Sequence, residues 1–141
     1  MTDHLKLLLE TKQKLLKALS RLEHSFNKIK TISSKTSELA DDELALWESF
    51  TARFSRASDL FLSKYLRIKV LSEDPSFKGT FRDLLNISLK HGWIDSIEKW
   101  MAIRELRNLC AHEYSEEKLP SILESVRKET ICLLNLKTTL L

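Results

Sequence analysis

From Trp47 to Ile68 the residues Trp47, Phe50, Phe54, Ala57, Phe61, Tyr65 and Ile68 recur at steps of three and four. A helix turns by about 100° per residue, so this spacing gathers them into one stripe. So much aromatic surface has to be buried against other elements, and core packing explains it better than a cofactor site. The spacing predicts a long core helix capped by Asp41 and Asp42 and running to about Leu71. There Ser72-Glu73-Asp74-Pro75 ends it.

The rest of the chain is equipped to cover that stripe. Only two glycines and two prolines occur in 141 residues, against 43% apolar and 30% charged residues. That leaves little turn chemistry for hairpins and much material for helices. The length suits a single domain over residues 1–141 with one core. From His4 to Lys30, Leu8, Leu15, Leu19, Leu22, Phe26 and Ile29 are spaced among lysines, arginine and glutamates, as in an amphipathic helix. Its lysines read as a solvated face rather than a nucleic-acid strip, and His24 as a surface residue. Thr31 to Ala40, rich in Ser and Thr, reads as a loop.

Thr80 and Asp83 have capping-box spacing, and Gly92 suits a helix stop, which predicts a helix from Phe81 to His91. Gly92-Trp93-Ile94 is then a tight apolar turn, with Trp93 either packed beneath it or forming a rim for a stacked base. Asp95 with Glu98 repeats the capping spacing and launches a helix from about Ser96 to His112. Ser115 to Leu119 is a loop. Pro120 suits the first turn of a last helix whose stripe is Leu123, Val126, Leu133, Leu136 and Leu140. The expectation is an all-α, up-and-down bundle of about five helices.

Cys110 and Cys132 sit in apolar surroundings without metal-ligand spacing, which predicts buried reduced thiols and a cytoplasmic protein. Leu7-Leu8-Leu9 is too short for a signal segment or a membrane span, so neither targeting nor a membrane is expected. A net charge of +3 permits an acidic partner but only at a local site.

The stretch Arg104 to Tyr114, RELRNLCAHEY, offers such a site. On a helix Arg104, Arg107, Asn108, Ala111 and His112 share one arc, and Ala102, Ile103, Leu106, Leu109 and Cys110 form the opposite, core-facing one. Two guanidiniums, a carboxamide and an imidazole on one face suit a phosphate. Asp59 lies between apolar neighbours in FSRASDLFL. Facing inward it needs a cation, for which Arg104 or Arg107 would serve; exposed, it would pair with Arg56 or Lys64.

Arg107-Asn108-Leu109-Cys110-Ala111-His112 resembles the R-polar-x3-H signature of the HEPN superfamily, and Tyr114 extends it to the R-x4-H-x-Y form of the HepT-type toxins. The preceding FRDLLNISLKHGWIDSIEKWMAIRELRN resembles the helix, glycine turn and second helix of proteins described as nucleotidyltransferase substrate-binding. The resemblance runs from about Phe77 to Lys118, roughly a third of the chain. It implies a dimeric HEPN-type bundle with two motifs facing each other across a shared cleft. It further implies a metal-independent endoribonuclease toxin without cofactor, whose partners are RNA and a cognate minimal nucleotidyltransferase antitoxin. By the same resemblance Arg107, Asn108 and His112 are catalytic, Arg104 binds substrate and Asp59 is a supporting acid where relatives carry Glu. Ser58 departs from the aromatic that relatives often have. Tyr114 would accept adenylyl groups from the antitoxin, or else be a structural tyrosine at a helix end. The alternative function is a non-catalytic nucleotide- or substrate-binding subunit of a nucleotidyltransferase complex.

The residues fit that chemistry in part. Cleavage of an RNA phosphodiester needs a base, an acid and positive donors around phosphorus. His112 is the motif face's one histidine, and an imidazole is the side chain most often used as a general acid or base. Asn108, four residues earlier, could orient it on a helix surface. The missing second acid or base would come from a second subunit.

Overall fold

The computed structural model describes residues 3–112 and 116–140, and their regular structure is entirely helical. α1 (Asp3–Ile29) is followed by a 3-10 turn (Thr36–Glu38), α2 (Asp41–Asp59), a π-helical turn (Leu60–Tyr65) and α3 (Leu66–Glu73). Then come α4 (Phe81–Lys90), α5 (Ile97–Cys110), α6 (Leu119–Leu134) and α7 (Leu136–Thr139). α2, the π-turn and α3 form one continuous rod, and α7 prolongs α6 past Asn135. The bundle therefore has five helical runs, in agreement with the sequence. No helix among the described residues is long and apolar enough to cross a membrane.

The rod is the centre of the core. Phe50, Phe54 and Phe61 are fully buried along it, with Leu15, Leu19, Leu22 and Ile29 from α1 and Leu123, Val126 and Leu133 from α6 in the same cluster. Phe26 lies 6.2 Å from Phe50, and Trp47 meets Phe50 edge-on at 5.7 Å. Leu136 and Leu140 complete the last stripe, as its spacing predicts.

The end of the rod departs from the expected stripe. Ile68 is only half-buried, whereas Leu62, Leu66 and Val70 are buried. The cause is the π-turn: the N–H of Leu66 donates to the carbonyl of Phe61, five residues back. That wide turn takes in an extra residue and shifts the inward face by one position. The helix also continues to Glu73. At its start the N-cap is Ala40 rather than either aspartate. Ala40 N–H donates to Glu43 Oε1 at 3.2 Å, which leaves Asp41 and Asp42 in the first turn, where negative charge suits the helix dipole.

The Thr80 box forms as expected: Thr80 N–H donates to Asp83 Oδ2 (2.8 Å), and Asp83 N–H to Thr80 Oγ1 (3.1 Å). Gly92 has φ +76°, and the paired bonds Gly92 N–H to Leu89 (3.0 Å) and Trp93 N–H to Ser88 (2.9 Å) close α4 with a Schellman motif. Trp93 is a packing residue. Its ring stacks on His91 at 4.5 Å and carries the Lys69 ammonium at 4.5 Å.

Three expectations for α5 fail. Ser96, whose Oγ accepts from Lys99 N–H at 3.2 Å, is the N-cap, while Asp95 lies 3.9 Å from the Lys99 ammonium instead of forming a box with Glu98. The helix stops at Cys110, short of His112. Trp100 and Ile103 supply its buried face, Leu106 and Cys110 flank it, and Ala102 is exposed rather than inward. Cys110 and Cys132 are free and half-buried, and burial pushes both thiols above the ordinary cysteine pKa.

A stitch that local patterns do not reveal closes the loop between α1 and α2. Arg127 of α6 donates to the carbonyls of Ile29 (2.9 Å) and Ile32 (3.0 Å), and its guanidinium lies 5.0 Å from the Trp47 ring. Glu124 pairs with the same guanidinium, which holds the carboxyl below the usual range, and Trp47 Nε1–H donates to Ser33 O at 3.0 Å.

Candidate functional site

α5 is set against the rod by Ile103 and by Trp100, whose ring lies 4.7 Å from Phe61. With that face turned inward, Arg104, Arg107 and Asn108 fall on the flank beside the end of α2. Arg107 Nε donates to Asp59 Oδ1 at 2.7 Å and Nη2 to Oδ2 at 2.9 Å. This is a fork-to-fork pair, the geometry a planar guanidinium prefers. It decides between the two placements open to Asp59: the partner is Arg107, not Arg56 or Lys64. The hydrogen bonds that Arg107 donates to Asp59 raise its pKa above the ordinary value, so the guanidinium stays charged, and among the described residues Nη1 has no hydrogen-bond partner. The side chains remain 32% and 42% exposed, so the pair lines an opening rather than the core.

Arg104 is held from its other side. Its guanidinium carbon lies 4.1 Å from the centre of the Phe81 ring, at the first residue of α4. The capping box at Thr80 thereby fixes the platform on which Arg104 rests. Between these groups is a cleft of about 360 Å³, bordered by Asp59, Lys64, Arg104, Arg107 and Asn108.

The structure thus brings together Arg104, Arg107, Asn108 and Asp59, and it leaves His112 apart. His112 is exposed, two positions beyond the last helical residue, and does not border the cleft. Because α5 ends at Cys110, the helical neighbour relation expected between Asn108 and His112 lapses. Among the described residues its ring has no hydrogen-bond partner. Tyr114 lies outside the described residues.

Lys64 and Phe81 were not singled out for the site by sequence reasoning. For Lys64 a signal exists: in LFLSKYL the apolar residues double up, with Leu60, Phe61 and Leu62 followed by Tyr65 and Leu66, a pattern of two overlapping stripes that one α-helical phase cannot bury. A second hollow of about 350 Å³ lies at the other end of α5, bordered by Tyr65, Lys69, Trp93 and Trp100. Its lysine is already over two rings, 5.6 Å from Tyr65 and 4.5 Å from Trp93, and burial lowers its pKa.

Over 61 residues the chain is 35% identical to a Haemophilus influenzae protein described as a probable ribonuclease HepT. The match takes in 43% of this chain and 42% of the relative, so the chain spans about two fifths of the curated relative it matches. No family model matches the chain, and no solved structure matches it. That partial likeness to a protein described as a HepT ribonuclease accords with the resemblance carried by the R-N-x3-H motif, and the described residues form an all-helical bundle.

Proposed function

We propose that this chain is a metal-independent endoribonuclease toxin, active as a homodimer and controlled by a cognate minimal nucleotidyltransferase antitoxin. The observation that carries the reading is the Asp59–Arg107 fork at the edge of a cleft that also holds Arg104 and Asn108. The relative's description as a probable ribonuclease supports RNA as the substrate.

In this reading His112 takes the proton of a ribose 2′-hydroxyl as that oxygen attacks the adjoining phosphorus. The bond to the 5′-oxygen of the next nucleotide breaks, leaving a 2′,3′-cyclic phosphate and a 5′-hydroxyl. Arg107, kept charged and oriented by Asp59, meets the charge that builds on the phosphoryl oxygens through its uncommitted Nη1. Arg104 and Asn108 hold the strand. The departing oxygen needs a proton donor, and a second copy's motif supplies it across a two-fold axis. The exposure of His112 at the end of α5 leaves it accessible to such a shared substrate.

Incubating the protein with RNA in the presence and absence of EDTA tests the proposal. Cleavage that persists in EDTA and disappears in a folded His112→Ala protein is the expected result; cleavage abolished by EDTA, or unaffected by the substitution, overturns it. The position of His112 outside the cleft favours a second reading, the non-catalytic nucleotide- or substrate-binding subunit. RNA or nucleotide bound but never cut would establish that one.

A further inference from the structure

The π-turn lies next to the residue that clamps the motif arginine. In an α-helix Asp59 and Lys64, five positions apart, would point about 140° away from each other. A ladder of five-residue bonds instead puts a residue nearly above the one five positions earlier. The bond from Leu66 N–H to Phe61 O is of that kind. The wide turn accordingly delivers Lys64 to the cleft that Asp59, Arg104 and Arg107 also border.

The charges in the cleft are unequally committed. Both carboxylate oxygens of Asp59 accept from Arg107. Arg104 has its guanidinium carbon over the Phe81 ring. Lys64 is exposed and, among the described residues, has no ion-pair partner. Three cations therefore share one carboxylate, and that carboxylate is already occupied. A lysine acts on phosphate as a mobile point charge rather than a fork, which suits a contact that need not align with the reacting bond.

We propose that Lys64 binds a backbone phosphate of the RNA strand neighbouring the one held by the motif arginine, and that the π-turn exists in this rod to present it. The assignment rests on the RNA-cleaving reading above. It concerns strand binding rather than the chemical step, so Lys64 is a binding residue and not a catalytic one.

The test uses the full chain and a mixed-sequence 2′-O-methyl RNA oligonucleotide, which has no free 2′-hydroxyl and cannot be cut. Fluorescence anisotropy is followed over a series of KCl concentrations. Neutralising one phosphate contact lowers the slope of log affinity against log salt by roughly one unit, whatever the sequence. Lys64→Gln is expected to show that smaller slope and an affinity several-fold weaker at low salt. Lys64→Arg should retain both, as should Lys14→Gln on the exposed face of α1. Circular dichroism on each variant checks that the helices remain. An unchanged slope and affinity in Lys64→Gln overturns the assignment alone. Failure of the unaltered protein to bind RNA at all overturns the RNA-cleaving reading and this assignment together.

Discussion

Asp59 and Arg107 stand 48 positions apart in the chain, yet two N–H···O bonds of 2.7 and 2.9 Å join them between the end of α2 and the last turns of α5. The pair is part-exposed, and pairs of that kind contribute only about 0–1 kcal/mol to folding. Its importance is orientation. Asp59→Asn should leave the melting temperature nearly unchanged while RNA cleavage falls by about tenfold or more, a loss of roughly 1.4 kcal/mol of transition-state stabilisation. Equal losses of stability and activity would show that the pair acts through the fold.

His112→Ala and Arg107→Ala should each abolish cleavage without loss of helical circular dichroism. Neither side chain belongs to the buried cluster. Arg107→Lys should rescue little, because an ammonium cannot fork onto Asp59 and still face a phosphate. Full cleavage by a folded His112→Ala protein would remove the proposed base.

Tyr114 follows His112 by two residues, and an adenylyl group there would bring a phosphate and a base next to the motif. The added anion would compete with substrate for Arg107, and its bulk would obstruct the strand. Incubation with a cognate nucleotidyltransferase and ATP should raise the mass by one or more adenylyl units and silence cleavage, and Tyr114→Phe should escape both effects. Modification found on Tyr65 would defeat this account; that phenol is only 8% exposed.

Arg127→Ala should destabilise the bundle by about 1–3 kcal/mol, since the carbonyl of Ile32 loses its donor and that of Ile29, at the end of α1, keeps only the N–H of Ile32. Glu124→Gln should cost far less, because that carboxylate is exposed. Chemical denaturation of both variants provides the comparison, and equal losses would relocate the effect to the ion pair.

Cys110 keeps its proton to higher pH than a free thiol because burial outweighs the hydrogen bond from Ser55 and the nearby Arg107. The native protein should therefore be alkylated slowly by iodoacetamide at neutral pH and at the ordinary rate in denaturant. Since the folded pKa is the higher one, the associated stabilisation is present below the unfolded pKa and fades as pH rises through the folded value. Rapid native alkylation at neutral pH would contradict the burial argument.

Much of this arrangement is legible in the chain, for physical reasons that also mark where legibility ends. Leu15, Leu19 and Leu22, or Leu123, Val126 and Leu133, repeat with the α-helical period and are buried accordingly. Thr80 with Asp83, and Gly92, signal through local hydrogen bonding that needs no knowledge of the fold. Asp41 and Asp42 mislead because a carboxylate is favourable both as a cap and in the first turn, and Glu43 takes the capping role. Ile68 is misjudged and Lys64 overlooked for one shared reason, the change of period in the π-turn. His112 is placed by its spacing on a helix that stops before it. Arg127 is beyond local reasoning altogether, since its carbonyl partners lie 98 and 95 positions away.

The π-turn also gives the rod something its neighbours lack, a place where its length can change. Removing one residue between Leu60 and Tyr65 would let the ladder tighten to the α form while Phe54 and Val70 stayed in their buried seats. The same deletion in the middle of α1 would swing Leu15 against Leu22 by about 100° and expose one of them. A related chain one residue shorter would then align with this one only by opening a gap inside a helix, where gaps are ordinarily taken for errors. Such a chain would keep the bundle and lose the presentation of Lys64, so that folding and strand binding would part at a single position.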